Sequence, residues 1–185
     1  MRGEHRIVAR ATAQRRPRGF SLIELMVTVG IAAIVAMVTV PGLQSLVQNN
    51  RTATQVNALV SALMYARNEA VTRGGRVSIC TSSDGYTCSD TDSWSGGWIV
   101  FSDTAGARGI VDPLTSDQVL QVFEALDGGS QLTGTTRLLS YDSAGFLTDA
   151  LAPSFSYRGA SCTPRTARTI NLSLQGRANV QPATC

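Results

Sequence analysis

The sequence predicts an α+β protein, with one long N-terminal helix packed on an antiparallel β-sheet domain. Three observations lead there. Residues 20–40 form an apolar run of 21 residues with a single charge, Glu24. A helical pattern with one apolar face follows and stops at Gly74-Gly75. The rest breaks into short β-branched and aromatic segments between loops rich in Gly, Ser and Asp.

Residues 1–19 form a basic leader. Arg2, Arg6, Arg10, Arg15, Arg16 and Arg18 stand against one acid, Glu4, a net charge of +5. The whole 185-residue chain carries +3, so the 166 residues after Gly19 carry −2. The apparent basicity is therefore a property of the leader. It fits the positive-inside rule, with the leader in the cytoplasm and the C-terminal domain outside.

At 1.5 Å per residue, the apolar run spans roughly 31 Å as a helix, about one hydrocarbon core. A lone acid in such a segment is costly in lipid and calls for a specific partner. Pro41-Gly42 ends the run and predicts a kink, because proline removes a backbone donor and clashes one turn back. Apolar residues then recur at Leu43, Leu46, Val47, Ala53, Val56, Leu59, Val60, Leu63, Met64, Ala70 and Val71. That spacing is close to 3.6, which extends one helix from about residue 20 to about 73. Its second half has an apolar face that something must cover.

Strands supply the cover. Residues 76–81, 97–102, 118–123, 136–141, 154–158 and 169–174 read as strands, and 82–96, 103–117, 127–135 and 142–153 as loops. About 145 residues outside the leader and the apolar helix suffice for one modest domain with its own core.

Composition narrows the chemistry. His5 in the leader is the only histidine and lysine is absent, which removes His triads, His metal ligands and Lys nucleophiles. No acid pair sits in a recognisable catalytic setting, so neither an enzyme nor a cofactor is expected. The four cysteines, Cys80, Cys88, Cys162 and Cys185, are an even set in an exported domain and suggest disulfides. Three connectivities are open. The local one joins Cys80 to Cys88 and Cys162 to Cys185, adding roughly 2.5 and 3.5 kcal/mol on the loop-entropy view. The spacings do not suit zinc.

Gly19 closing a basic leader, then Phe20-Ser21-Leu22-Ile23-Glu24-Leu25 opening an apolar helix, resembles the class III signal of type IV pilins and type II secretion pseudopilins. Further on come residues 66–77 (ARNEAVTRGGRV), Cys80, residues 94–101 (WSGGWIVF) and Asp103. Their order resembles the GspH/FimT (FimU-like) group of minor pilins and pseudopilins. The resemblance covers residues 19 to about 105 and loosens beyond.

The resemblance implies a pilin-like α+β fold in three parts. Residues 1–19 would be a cleaved leader and 20–41 a transmembrane and assembly helix. Residues 42–185 would be a periplasmic globular domain that includes the amphipathic half of the helix. It also implies that a prepilin peptidase cuts between Gly19 and Phe20, that Phe20 is N-methylated, and that Glu24 pairs with the amino terminus of a neighbouring subunit. The last point is physically sensible, since cleavage creates a fresh cation on Phe20 and a buried acid and cation offset each other's desolvation. The implied life of the chain starts in the inner membrane with the domain in the periplasm. It ends in a type IV pilus, priming assembly or forming the tip among other major and minor pilins. A DNA-binding role in natural transformation and a place in a type II secretion pseudopilus are the alternatives.

Other residues carry competing readings. Without the family, Arg67 and Glu69 read as solvated helix surface, Trp98 and Phe101 as core, and Trp94 as its rim. Asp103, Asp112 and Asp117 offer oxygen ligands of the kind calcium favours. Their spacing fits no calcium loop, and turn-forming Asp explains them as well. Residues 150–185 hold no acid and four arginines, Arg158, Arg165, Arg168 and Arg177. DNA-binding members of the group use a Gly-Arg-x-Arg pattern. Gly176-Arg177-Ala178-Asn179 matches it except at Asn179. The four arginines are candidates for DNA binding if they share a face, and otherwise solvated residues near a disulfide-closed loop.

Overall fold

The computed structural model describes residues 19–104, 111 and 117–185, the side chains of Val38 and Pro41 excepted. It comprises two compact units that divide between Leu43 and Gln44. Helix α1, Leu22–Arg73, contributes to both and is continuous through Pro41 and Gly42.

In the second unit α1 buries Thr52, Gln55, Val56, Leu59, Ala62, Leu63, Ala66 and Ala70. Steps of three and four place these on one face. The face is not quite the one read from hydrophobicity, because Ala53, Met64 and Val71 are exposed. Small residues at 62, 66 and 70 bring the strands close to the helix axis, where a larger side chain would hold them off. The helix ends in a Schellman arrangement: Gly74 has φ +64°, Gly75 N–H donates to Ala70 O and Gly74 N–H to Val71 O.

Eight strands follow: β1 Val77–Thr81, β2 Trp98–Ser102, β3 Gln118–Phe123, β4 Gln131–Gly134, β5 Leu138–Tyr141, β6 Ser154–Arg158, β7 Ala167–Leu172 and β8 Ala178–Pro182. They form two four-stranded antiparallel sheets, ordered β3-β2-β1-β5 and β4-β6-β7-β8. The sequence had implied one sheet of six strands. It missed β4, which is four residues long and ends in Gly134, and β8, which is almost wholly exposed. Both are edge strands whose pairing partners, rather than their own pattern, make them extended.

Val77, Ile79, Val100, Leu139 and Tyr141 of the first sheet share one core with Leu132, Phe155, Tyr157, Ile170 and Leu172 of the second and with the α1 face. The first sheet is covered on its other side too, where Cys80, Ile99 and Phe101 pack with Cys88, Val119 and Leu138. This double cover explains why β1 is buried along its whole length. Ser78 on that side donates to Asp103 Oδ2 (2.8 Å) and meets Ser140 Oγ at 2.7 Å. Tyr157 Oη donates to Gln55 Oε1 (2.6 Å), and Gln55 Nε2 donates to Asp127 O (3.0 Å), tying α1 to the second sheet.

Trp94 is a correction. It is fully buried at the centre of the core rather than at its rim. Its ring meets Phe155 edge-on with centroids 5.1 Å apart, and its Nε1 donates to Thr136 O at 2.9 Å. Gly134 makes that bond possible, since a Cβ there would lie 2.6 Å from Trp94 Nε1 and 2.7 Å from Thr136 O. Gly134→Ala is therefore expected to destabilise the domain by about 1–3 kcal/mol. Gly96→Ala, with nothing within 4 Å of the added methyl, should stay within about 0.5 kcal/mol of the parent. Urea unfolding of residues 44–185, followed by tryptophan fluorescence, separates the two.

Candidate assembly interface

Among its described residues the first unit offers nothing but surface. Every described side chain from Phe20 to Leu43 is exposed, Phe20 at 82% and Met37 at 77%. Among the described residues α1 is the one helix long and apolar enough to cross a membrane. Its threonines do not disturb that character. Thr28 Oγ1 donates to Leu25 O (2.9 Å) and Thr39 Oγ1 to Val35 O (3.0 Å), so both hydroxyls are satisfied within the helix. Glu24 sits in the first turn, where the helix dipole favours an acid. Among the described residues no ion-pair partner approaches it. The segment is thus an apolar rod with one carboxylate near its start, four residues after Phe20 and five after Gly19.

The four cysteines are paired Cys80–Cys88 and Cys162–Cys185, with Cα separations of 5.6 and 5.8 Å. The first bond clips the loop after β1 over the outer side of the first sheet. Asp84 orders that loop. Its carboxylate accepts from Thr87 Oγ1 (2.6 Å) and from the N–H groups of Thr87 and Tyr86 (2.8 Å each). These bonds, the Thr87 hydroxyl first, hold its pKa well below the usual carboxylate range. The second bond fastens the C-terminal tail to the loop between β6 and β7.

The two described calcium candidates, Asp103 and Asp117, each have a partner within the protein. Asp103 is buried against Ser78, Asp117 Oδ1 accepts from Thr104 N–H (2.8 Å), and Asp112 lies outside the described residues. Among the described residues no cluster of His, Cys, Asp and Glu has metal-binding geometry.

The four C-terminal arginines are split. Arg158 ends β6, Arg165 lies in the β6–β7 loop and Arg168 is near the start of β7. Arg177 is in the turn between β7 and β8, at the other end of the sheet. Register divides them further. Arg168 stands opposite Tyr157, on the core side, while Arg158 stands opposite Ala167, on the outer side.

Gly176-Arg177 has a structural explanation that the sequence did not give. Gly176 has φ +74°, and a Cβ there would lie 2.8 Å from the Tyr141 ring and 3.1 Å from Arg67 Cδ. Arg67, read from sequence as solvated, is half-buried and donates from Nε to Gly145 O (2.9 Å). Glu69 does lie at the surface, paired with Arg73 at 2.6 Å. Such an exposed i,i+4 pair contributes only about 0.3–0.5 kcal/mol.

The family model described as type II transport protein GspH matches residues 55–176. The chain belongs to the GspH family. The prokaryotic N-terminal methylation motif matches residues 14–40. Among solved structures, the type IV minor pilin FimU of Pseudomonas aeruginosa (strain PAO1) aligns with a TM-score of 0.57 at 19% identity, covering 72% of this chain and 90% of that one. The minor pseudopilin EpsH of the type 2 secretion system of Vibrio cholerae aligns with a TM-score of 0.49 at 15% identity, covering 71% and 97%. A search of curated proteins found no match. This GspH-family chain is accordingly a minor pilin or pseudopilin, of the type IV pilus or type II secretion kind, with a pilin-like fold. The family is structural rather than enzymatic.

Tyr141 supplies a test of the Arg67 cluster. Burial pushes its hydroxyl pKa far up, with Arg67 pulling the other way, and among the described residues the hydroxyl has no hydrogen-bond partner. The unfolded chain ionises near pH 10, so this contribution to stability is complete below pH 10 and falls as pH rises above it. Tyr141→Phe is expected to leave neutral stability unchanged or raise it by up to about 1 kcal/mol. It should also flatten the alkaline loss, as read from urea midpoints at pH 8 to 11.

Proposed function

We propose that this chain is a minor pilin. On this reading a prepilin peptidase cuts it between Gly19 and Phe20, and Phe20 is then N-methylated. The chain waits in the inner membrane with residues 44–185 in the periplasm. It then enters a type IV pilus, where it primes assembly or sits at the tip among other pilins. The observation that carries this reading is the apolar first half of α1, whose described side chains are all exposed, beginning three residues after Gly19 and carrying one acid with no ion-pair partner among the described residues.

An apolar rod of that kind exchanges lipid for other helices at little cost, because both are equally apolar. The acid is what makes the exchange specific. Glu24 aligns with the amino-terminal cation of a neighbour, and both groups lose their desolvation penalty together. Pro41 and Gly42 close the assembly segment at its domain end. DNA uptake gains little from the geometry, since Arg177 lies apart from the other three arginines. A place in a type II secretion pseudopilus is the second reading, favoured by the description of the matching family model.

Co-expression of the full chain with a prepilin peptidase and pilus machinery tests the proposal. Mass spectrometry of sheared fibres should recover a chain that begins at a singly methylated Phe20. Gly19→Val should leave an uncut chain in the membrane. Glu24→Leu should be cut normally yet fall at least about tenfold in the fibre fraction, since a cation left unpaired among apolar helices costs on the order of 3–5 kcal/mol. Equal recovery of Glu24→Leu would contradict the pairing. Recovery only in the envelope of secreting cells, never in surface fibres, would favour the pseudopilus.

A further inference from the structure

Two of the edge strands are capped by the chain itself. Trp94 N–H donates to Leu132 O (2.8 Å) and Gly134 N–H to Asp92 O (2.9 Å), which fills the outer edge of β4. Thr148 N–H donates to Ser140 O (3.0 Å) along β5. Strand β8 has no such cover: among the described residues no backbone group pairs with its outer edge. Register fixes which groups are left over. Ala183 N–H donates to Ala167 O (3.2 Å) and Ser173 N–H to Arg177 O (2.9 Å). Asn179 and Gln181, opposite Asn171 and Thr169, fall in the same alternation. Hydrogen-bonded pairs alternate with non-bonded ones in an antiparallel ladder. Residues 177, 179, 181 and 183 therefore turn their backbone groups to β7, and Ala178 and Val180 turn theirs outward. Pro182, next in the outward series, has no N–H to leave unpaired, as suits an edge.

A groove of about 340 Å³ lies beside this edge, lined by Met64, Arg67 and Asn68 of α1 and by Gly176, Arg177 and Ala178. Ala178 and Val180 stand opposite Leu172 and Ile170 of the core, so their side chains lie on the core side of the sheet. Val180 and Met64 are exposed. A strand laid against β8 would turn alternate side chains the same way, into the groove. The groove lining holds two arginines and no acid. Arg67 is engaged with Gly145 O. Arg177 is exposed, and among the described residues no carboxylate lies within ion-pair distance of it.

We propose that the outer edge of β8 takes up an extended segment of a different pilin subunit, with an apolar side chain over Met64 and a carboxylate beside Arg177. The proposal rests on the assembly reading above and gives the globular domain its own contact in the assembly. Backbone hydrogen bonds to Ala178 and Val180 supply affinity, and the groove selects the side chains. A second copy of this chain fits worse. Pairing β8 with itself sets two acid-free segments, residues 150–185 of each copy with four arginines, side by side. Pro182 keeps the open stretch short, which limits pairing to a brief segment rather than a growing sheet.

Full-length chain with a photo-crosslinking amino acid at Met64, recovered in assembled fibres, tests the pairing. Adducts are expected on one acid-containing segment of another pilin, located by mass spectrometry. Val180→Pro removes an outward N–H that β7 does not use, so the domain should still fold. It should cut adduct yield per incorporated chain on the order of tenfold. Val180→Thr keeps that N–H and should leave the yield unchanged. Arg177→Gln should lower it roughly two- to fivefold, the range of an exposed ion pair. Tryptophan fluorescence and urea midpoints of the full-length variants in detergent, equal to the parent's, show that each is folded. Undiminished adducts from a folded Val180→Pro chain overturn the proposal, and so do adducts to a second copy of this chain. A chain absent from the fibres refutes the assembly reading and the proposal with it. An incorporated chain without Met64 adducts refutes the strand pairing alone.

Discussion

Everything in this molecule depends on which parts of α1 the chain covers for itself. From Thr52 to Ala70 one face of the helix carries both sheets, and small residues at 62, 66 and 70 let them approach. From Leu22 to Leu43 every described side chain of the same helix is exposed. A buried leucine is stabilised by about 1.5–3 kcal/mol relative to water, so the uncovered half demands an apolar environment from outside. The domain, by contrast, closes on itself. Its core is continuous across two sheets, and two disulfides fasten the segments that strand pairing leaves loose.

The long helix was legible because period and punctuation agree. The hydrophobic run, the amphipathic continuation and Gly74-Gly75 together place its end at Arg73. Strands β3 and β6 could be read to the residue, since Asp117 opens the first and Pro153 and Gly159 bound the second. Strands β4 and β8 could not. Their extended form is imposed by β6 and β7, and nothing in QLTG or ANVQP announces it. Division into two sheets was equally hidden, because pairing order is decided by long-range contacts that alternation does not encode. Trp94 was misplaced for a related reason: its partners, Phe155 and Thr136, lie far along the chain.

The candidate site divides the same way. The junction at Gly19-Phe20 and the lone Glu24 can be seen in sequence, because a charge in an apolar run is conspicuous. The roles of Arg67 and Gly176 could not be seen. A half-buried arginine on a helix looks like any solvated one until Gly145 and Tyr141 are placed beside it. Counting charge along the chain made residues 150–185 look like one basic strip. The fold sends Arg177 to one end of the sheet and Arg158, Arg165 and Arg168 to the other, with Arg158 and Arg168 on opposite sides of it. Sequence proximity thus suggested a strip, and topology divided it between the two ends of the sheet.

The central claim is that the apolar half of α1 is covered by other subunits, with Glu24 beside a neighbour's first residue. A photo-crosslinking amino acid at Ile23, in full-length chain incorporated into fibres, tests this directly. The account expects light-induced adducts to the first few residues of another pilin, located by mass spectrometry, in the fibre fraction. Fibres that contain the chain but yield no pilin adduct at this position, or adducts only far from the neighbour's amino terminus, would contradict it.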